Sequence, residues 1–146
     1  MALAFRNVDA SPRDPVETWP YEGLVTVIER GLVPDWQPIF AELRRRPWGV
    51  VARRIEQYLS YAPRESVAVL FRLAIDRARH DQEVRERSDV AARVREAIRA
   101  SGLTATAFAE EVGTSASRMS TYASGKVVPS ATMLTRIERA GPSLLL

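Results

Sequence analysis

Apolar side chains recur every three or four residues along most of this chain, which is the spacing of helices that bury one face. In the first half, the pattern predicts one helix over residues 21–30, a second over residues 35–46, and a third that starts at Pro47 and stops at Tyr61. No five residues rich in Val, Ile and Thr alternate cleanly with polar ones, as a half-buried strand would require. The pattern therefore predicts an all-α protein.

A longer helix is predicted to run from Ser66 to Gly102, with an apolar face near each end. Between those faces, residues 76–89 contain nine charged side chains among fourteen, and only Ala78 and Val84 are apolar. Neither proline nor glycine interrupts this stretch, and opposite charges three or four residues apart support a helix. We interpret it as a solvated connecting helix; a hinge that frays is the alternative.

Two short helices are predicted at residues 105–112 and 116–123. Thr104 and Ser115 stand directly before them, where a side-chain hydroxyl caps a helix. Gly113 lies in the turn between them, at a position that requires a positive φ. Two short helices joined by a tight turn that contains glycine form a helix-turn-helix.

A last helix is predicted after Pro129 and Ser130, with Met133, Leu134 and Ile137 on one face. This helix completes a division of the chain into five parts. They are a flexible arm (residues 1–19), a helical domain (20–75), the charged linker (76–89), the helix-turn-helix domain (90–141) and a tail (142–146).

The last third of the chain resembles the lambda-repressor-like helix-turn-helix family, also called XRE-like. The resemblance is carried by the small alanine of the motif, its turn glycine, the serine before the second helix and the residues that follow. These residues are Gly102, Leu103, Thr104, Phe108, Ala109, Val112, Gly113, Thr114, Ser115, Met119, Ser120, Tyr122, Ser124, Gly125, Lys126, Pro129 and Ser130. The resemblance implies that the second helix of the motif enters the major groove of double-stranded DNA.

The chain departs from this family at its end. The family usually has a fifth helix, and many members dimerise through it, whereas only residues 141–146 follow the fourth predicted helix here. One helix-turn-helix makes too few contacts to bind an operator tightly, so a homodimer is still expected. We therefore expect the dimer interface to lie in residues 20–75.

Carried over by position, the resemblance places five side chains of the second helix at the base edges. They are Ala116, Ser117, Arg118, Ser120 and Thr121. Their methyl groups suit a thymine methyl, their hydroxyls suit several bases, and Arg118 suits a guanine. A phosphate contact or a solvated side chain is the alternative for Arg118.

Four further residues are candidates for contacts with DNA phosphate. Thr104 and Ser115 lie at helix N-termini, where backbone N–H groups favour an anion; helix capping alone is the alternative. Ser124 and Lys126 lie in the loop after the second helix, a place that often meets the DNA backbone.

The composition excludes several classes of function. The chain has no cysteine and one histidine, His80, so disulfides, thiolate catalysis and a His-pair metal site are ruled out. It lacks nucleophile-elbow and phosphate-loop motifs, and no carboxylate pair lies in an apolar stretch, so we expect no enzyme activity and no cofactor.

Short apolar runs and the lack of an apolar signal core predict a cytoplasmic protein without a membrane partner. Twenty arginines against one lysine indicate a GC-rich bacterial genome.

Positive charge is concentrated in residues 43–87, which hold eleven arginines against six acids, whereas the whole chain has a net charge of +3. Five of these arginines form a cluster: Arg44, Arg45, Arg46, Arg53 and Arg54. We interpret the cluster as a solvated helix end, where cations are favoured; contact with DNA phosphate or with an acidic partner is the alternative.

Most aromatic side chains lie in residues 20–75 and indicate a helical core, with a partner groove as the alternative.

The whole chain is also similar, more loosely, to small actinobacterial helix-turn-helix regulators, some of which are antitoxins encoded beside toxin genes. This similarity rests on the layout of the domains and on the stretches WPYEGL and PWGVVARRIE. We expect a sequence-specific transcriptional regulator, most often a repressor. The alternative is an antitoxin whose N-terminal domain binds a toxin while its C-terminal domain represses their shared operon.

Overall fold

The structure is a computed structural model that describes residues 4–5, 10–62 and 66–143. Within these ranges the chain forms seven α-helices and one 3-10 helix, with no β-strand, which confirms the predicted all-α class. The helices are α1 (Tyr21–Arg30), α2 (Val33–Arg45), α3 (Val50–Leu59), α4 (Ser66–Ser101), α5 (Ala105–Val112), α6 (Ala116–Ser124) and α7 (Ala131–Ser143), and the 3-10 helix is Val16–Thr18. Among the helices of the described ranges, none combines the length and the apolar character that crossing a bilayer requires.

The chain divides into two compact units, which we call the N-terminal unit (Met1–Gln82) and the C-terminal unit (Glu83–Leu146). Helix α4 contributes its first half to one unit and its second half to the other. The boundary lies inside the charged stretch 76–89, which is helical throughout. In this stretch Ala78 is buried and Val84 is 53% exposed. The predicted connecting helix is therefore present and mostly solvated.

Helix α2 begins at Val33, two residues earlier than predicted. The carboxylate of Asp35 accepts a hydrogen bond from the backbone N–H of Leu32 at 2.8 Å, so this side chain supports the first turn from inside the helix. Pro34 lies in that turn as well, where its missing N–H is not needed. Pro38 lies in the body of the helix, whereas a helix that began at residue 35 would have placed it in the first turn.

The core of the N-terminal unit is made of apolar side chains from the 3-10 helix and its end and from α1, α2, α3 and α4. They are Val16, Trp19, Leu24, Val27, Ile28, Trp36, Ile39, Leu43, Val51, Ala52, Ile55, Tyr58, Leu59, Ala68, Phe71, Ile75 and Ala78. Phe71 of α4 is fully buried. The ring of Trp36 meets it edge-on with centroids 5.7 Å apart, and the ring of Phe40 stacks on it at 5.1 Å. These contacts tie α2 to α4.

Val16 and Trp19 belong to this core, although the sequence places them in a flexible arm. The indole N–H of Trp19 donates to a backbone carbonyl five residues earlier at 2.9 Å, and the ring of Phe5 lies edge-on against it at 5.3 Å. One turn of 3-10 helix has no helical periodicity long enough to be recognised in a sequence. The other residues of the expected arm that precede residue 10, namely 1–3 and 6–9, lie outside the described residues.

Two aromatic residues that were assigned to the core are exposed instead. Trp48 is 47% exposed and lies in the turn before α3, so that helix starts after the turn rather than at Pro47. The guanidinium of Arg79 lies over the Trp48 ring, 5.7 Å from its centroid. Tyr61 is 64% exposed and follows the end of α3.

The core of the C-terminal unit is formed by the second half of α4 together with α5, α6 and α7. It consists of Val94, Ala97, Phe108, Ala109, Val112, Met119, Tyr122 and Ile137. Helix α7 extends to Ser143, beyond the predicted domain end. A Cβ atom on Gly141 would lie 3.0 Å from the Cα of Ala97, so this glycine allows α7 to approach α4 closely. Of the predicted tail, residues 144–146 lie outside the described residues.

Candidate nucleic-acid interface

Helices α5 and α6 are joined by the turn at residues 113–115. Gly113 has a φ of +82°, the left-handed conformation that glycine adopts without strain. Its N–H donates to the carbonyl of Glu110 at 3.1 Å, and the N–H of Thr114 donates to the carbonyl of Ala109 at 2.9 Å. The turn therefore satisfies the last carbonyls of α5, and the predicted positive φ is confirmed.

Both predicted N-caps of the motif are present. The Oγ1 of Thr104 accepts a hydrogen bond from the N–H of Ala107 at 3.2 Å, and the Oγ of Ser115 accepts one from the N–H of Arg118 at 3.1 Å. Both capping side chains are exposed, and each hydroxyl still has a proton to donate. Their contact with phosphate stays a prediction.

Helix α6 is fixed on one side by Met119, which is fully buried, and by Tyr122, which is 8% exposed. The side chains predicted to meet the bases lie elsewhere on the helix. Those that are exposed are Ala116, Ser117, Arg118 and Ser120. Thr121 is half-buried, and its hydroxyl donates to the carbonyl of Arg118 at 2.6 Å. The helix thus presents small side chains and one guanidinium to solvent.

The loop after α6 is held by hydrogen bonds at Ser124. Its Oγ donates to the carbonyl of Thr121 at 3.2 Å and accepts from the N–H of Lys126 at 3.4 Å. Gly125 between them has a φ of +81° and ends α6. The structure therefore fixes the backbone of Lys126 just beyond α6 and leaves its side chain exposed.

Two arginines hold the carboxyl ends of α5 and α6, and no sequence pattern indicates either of them. Arg95 of α4 donates through Nη1 to the carbonyl of Ala123 in α6 at 2.7 Å, and Arg136 of α7 donates through Nη1 to the carbonyl of Val112 in α5 at 3.2 Å. A cation at a helix C-terminus satisfies carbonyls without an intrahelical donor and suits the negative end of the helix dipole. The paired residues are 28 and 24 positions apart, so no local pattern reveals them.

Ion pairs also occur on α4 and α7, the helices that pack around α5 and α6. Arg93 of α4 binds Glu138 of α7, and this hydrogen bond raises the pKa of Arg93 above its ordinary value. On α4, the hydrogen bond from Arg99 lowers the pKa of Glu96 below its ordinary value. Each of these shifts favours the charged form of the side chain concerned, Arg93 or Glu96.

Within the arginine cluster of the N-terminal unit, Arg45 and Arg46 bind the carboxylate of Glu42, which is only 2% exposed. The distance from Arg46 Nη1 to Glu42 Oε1 is 2.7 Å. Hydrogen bonding to Glu42 raises the pKa of Arg45 above its ordinary value. A carboxylate this deeply buried would destabilise the fold without cations, so these two arginines have a structural task.

Arg54 has a structural task as well, because its Nη1 donates to the carbonyl of Trp19 at 2.6 Å. In the described part of the chain, Arg44 and Arg53 are exposed and make no ion pair. The cluster therefore offers fewer unpaired cations than its sequence suggests. A contact of Arg44 and Arg53 with DNA phosphate or an acidic partner stays a prediction.

A family model described as a helix-turn-helix domain matches residues 89–140. This range starts in the second half of α4, ends in α7 and contains every candidate DNA contact from Thr104 to Lys126. Comparison with the curated proteins and with the solved structures gave no match. The match and the geometry of α5, α6 and their turn agree with each other. Residues 89–140 of this chain form a helix-turn-helix domain.

Proposed function

We propose that this protein is a sequence-specific DNA-binding transcriptional regulator that represses promoters by occupying them. One observation carries the proposal: α6 has an open face of small side chains with one guanidinium, and its other face is fixed by buried Met119 and Tyr122. A rigid helix of this kind enters the major groove without steric obstruction. This function places the protein in a bacterial cytoplasm, on the nucleoid when DNA is bound.

In this proposal α6 reads the bases. Arg118 donates two hydrogen bonds to a guanine, the commonest specific contact in the major groove. Ser117 and Ser120 donate to or accept from neighbouring bases, and Ala116 and Thr121 supply methyl groups for a thymine.

The residues around α6 hold the DNA backbone. Thr104 and Ser115 mark the N-termini of α5 and α6, where the positive ends of the helix dipoles and the uncapped N–H groups attract phosphate. Ser124 and Lys126 meet a phosphate from the loop after α6. Such contacts fix the position of the protein on the duplex and carry no sequence information.

The test begins with selection of binding sequences for the full chain from a random DNA library. A selected duplex and an unrelated duplex are then titrated with Arg118→Ala and Lys126→Ala. Each substitution removes one positive charge from an exposed side chain, so each is the control for the other. Arg118→Ala should weaken binding to the selected duplex by about 1–3 kcal/mol and change the unrelated one little. Lys126→Ala should weaken both alike and lower the salt slope by about one.

Two outcomes count against this assignment. If Arg118→Ala weakens both duplexes equally, Arg118 contacts phosphate rather than a base. If neither variant changes the titration on the selected duplex, α6 is not the helix that binds DNA.

The proposal includes a homodimer. Operators of helix-turn-helix proteins are usually two-fold, and one domain alone supplies few contacts. The candidate base and phosphate contacts of α6 and its surroundings all lie in the C-terminal unit. The N-terminal unit is therefore the candidate for joining the two copies.

An antitoxin is the second candidate function. It is favoured by the exposed apolar side chains of the N-terminal unit, because a protein partner would cover such a surface. The neighbouring gene distinguishes the two functions. A toxin-like product that binds the full chain favours the antitoxin, and a gene without such a neighbour favours a regulator alone.

A further inference from the structure

The loop between α6 and α7 exposes two neighbouring apolar side chains. Val127 is 48% exposed and Val128 is 46% exposed, and they directly follow Lys126, the candidate phosphate contact of this loop. Single exposed valines are ordinary on a protein surface, so exposure alone indicates no partner. The hydrogen bonds and neighbours of the loop separate the two valines from each other.

The loop is anchored at both ends, which fixes its backbone. At its start, Gly125 has a φ of +81°, and a Cβ atom there would lie 3.5 Å from the Cβ of Ala91 in α4. At its end, Pro129 is buried, and the Oγ of Ser130 accepts a hydrogen bond from the N–H of Met133 in α7 at 3.1 Å. A side chain on such a loop is pre-organised, which lowers the entropy cost of binding.

The two valines have different surroundings in the C-terminal unit. Val128 lines a groove together with Val90 and charged side chains of α4. Val127 is not among the described residues that line this groove. Its N–H donates instead to the carbonyl of Thr121 in α6, at 3.2 Å. Val128 is therefore associated with α4, and Val127 is held at the end of α6.

Thr121 lies on the face of α6 that we propose reads the bases. It follows Met119 by two residues, which is a rotation of about 200° around a helix, so it lies opposite the fully buried Met119. The hydroxyl of Thr121 donates to the carbonyl of Arg118 at 2.6 Å and has no second proton to donate to a base. Because Val127 is bound to Thr121, the loop adds an exposed apolar side chain at this end of α6.

We propose that Val127 reads a thymine, by contact of its side chain with the 5-methyl group at the major-groove edge. This proposal rests on the proposed function, because it requires α6 to lie in the major groove. Thymine alone among the four bases presents a methyl group there, so an apolar contact distinguishes it from the other bases. The side chain of Val127 has no donor for a phosphate, whereas the ammonium group of Lys126 has three. The loop thus holds the DNA backbone with one residue and reads a base with the next.

Removal of single methyl groups from the DNA tests this proposal. Each thymine of the selected duplex is replaced in turn by deoxyuridine, which keeps the base pair and lacks only the 5-methyl group. At one thymine of a half-site, the replacement should weaken binding of the wild-type chain about fourfold, the effect of one buried methyl group. Val127→Ala should weaken binding to the unmodified duplex at least as much. The same replacement should then change the affinity of Val127→Ala by less than about twofold.

Val128→Ala is the matched control, because it shortens the same kind of side chain at the next position, with a similar exposure. It should keep the wild-type discrimination between thymine and uracil. Because both valines are exposed, both variants should stay folded, which circular dichroism verifies. The proposal is overturned if no thymine responds to loss of its methyl group, or if Val128→Ala loses the discrimination equally. Full discrimination in Val127→Ala would also overturn it, and weaker overall binding would then place Val127 against the sugar-phosphate backbone.

Failure of this proposal is distinguishable from failure of the proposed function. The titrations with Arg118→Ala and Lys126→Ala use unmodified DNA and measure whether α6 and its loop bind it. If those substitutions weaken binding while no uracil replacement does, α6 still binds DNA and only the role of Val127 is wrong. If neither the substitutions nor the replacements change the affinity, both proposals are wrong.

Discussion

Two helix faces that are open to solvent, one in each unit of the molecule, differ in chemistry. In the C-terminal unit, α6 exposes hydroxyl groups and the guanidinium of Arg118, while Met119 on the same helix is fully buried. In the N-terminal unit, several arginines are bound to carboxylates and carbonyls of the unit itself, while Val69 and Leu73 are exposed. Exposed donors suit a phosphate-rich duplex, and exposed apolar side chains suit a protein. We therefore propose a different kind of partner for each unit, DNA for the C-terminal unit and a protein for the N-terminal unit.

The substitution with the largest expected effect separates the stability of the two units. Phe71 is fully buried against Trp36 and Phe40, so Phe71→Ala should destabilise the N-terminal unit by about 3–5 kcal/mol. Amide hydrogen exchange should accelerate in α1, α2 and α3. The amides of α5, α6 and α7 should keep their protection, because their core contains no side chain of the N-terminal unit.

Val84→Ala is the matched control for this substitution, because it also shortens a side chain of α4 but lies outside the exposed apolar surface of the N-terminal unit. The side chain is 53% exposed, so the loss of free energy of unfolding should stay within about 0.5 kcal/mol. Accelerated exchange in both units of Phe71→Ala would show that the two units unfold together and are not independently stable.

A smaller effect is expected where α4 holds the end of α6. Arg95→Ala removes the hydrogen bond to the carbonyl of Ala123 at the end of α6. Hydrogen bonds that involve a charged group contribute about 1.5–3 kcal/mol when buried, and this exposed one should contribute about 1 kcal/mol. Affinity for the selected duplex should fall about fivefold. The salt slope should not change, because we propose that Arg95 positions α6 instead of contacting a phosphate.

Arg99→Ala is the control, since Arg99 lies on the same helix and pairs with Glu96 instead of α6. Its affinity for the selected duplex should match that of the wild type. A salt slope reduced by about one in Arg95→Ala would identify Arg95 as a phosphate contact rather than a positioning residue.

Local interactions explain how much of the C-terminal unit could be predicted. The caps at Thr104 and Ser115 and the turn at Gly113 involve hydrogen bonds over a few residues, so residue type and spacing are enough to indicate them. The same holds for α1 and α5, whose bounds match the prediction.

Interactions between distant parts of the chain explain what could not be predicted. Trp19 is buried by side chains that follow it far along the sequence, and Arg54 binds its carbonyl from 35 residues away. Arg95 and Arg136 find their carbonyls only once the helices have packed. Such residues have no periodic signal of their own, because their partners are set by the tertiary fold.

The smallest predicted effect is a pH dependence in the N-terminal unit. The hydrogen bond from Arg79 lowers the pKa of Glu56, and the two side chains approach to 2.6 Å. The ion pair therefore stabilises the unit above the ordinary glutamate pKa of about 4.3, and this contribution is lost as the pH falls through the lowered value. Because both side chains are partly exposed, the contribution should stay below about 1 kcal/mol.

Thermal unfolding of the wild type and of Glu56→Gln measures this contribution. The wild type should be slightly more stable at about pH 7, and the difference should shrink at about pH 3, where Glu56 becomes protonated. A difference that stays constant across this range would show that the ion pair does not stabilise the fold.

Amide chemical-shift mapping by NMR is the most direct test of whether α6 and the loop after it contact DNA. The full chain is titrated with its selected duplex, and the shift of each backbone amide is followed. If α6 lies in the major groove, the largest shifts should occur at Thr104 and in residues 115–126, with small changes in the N-terminal unit. Shifts concentrated around Arg44 and Arg53, with residues 115–126 unaffected, would contradict it.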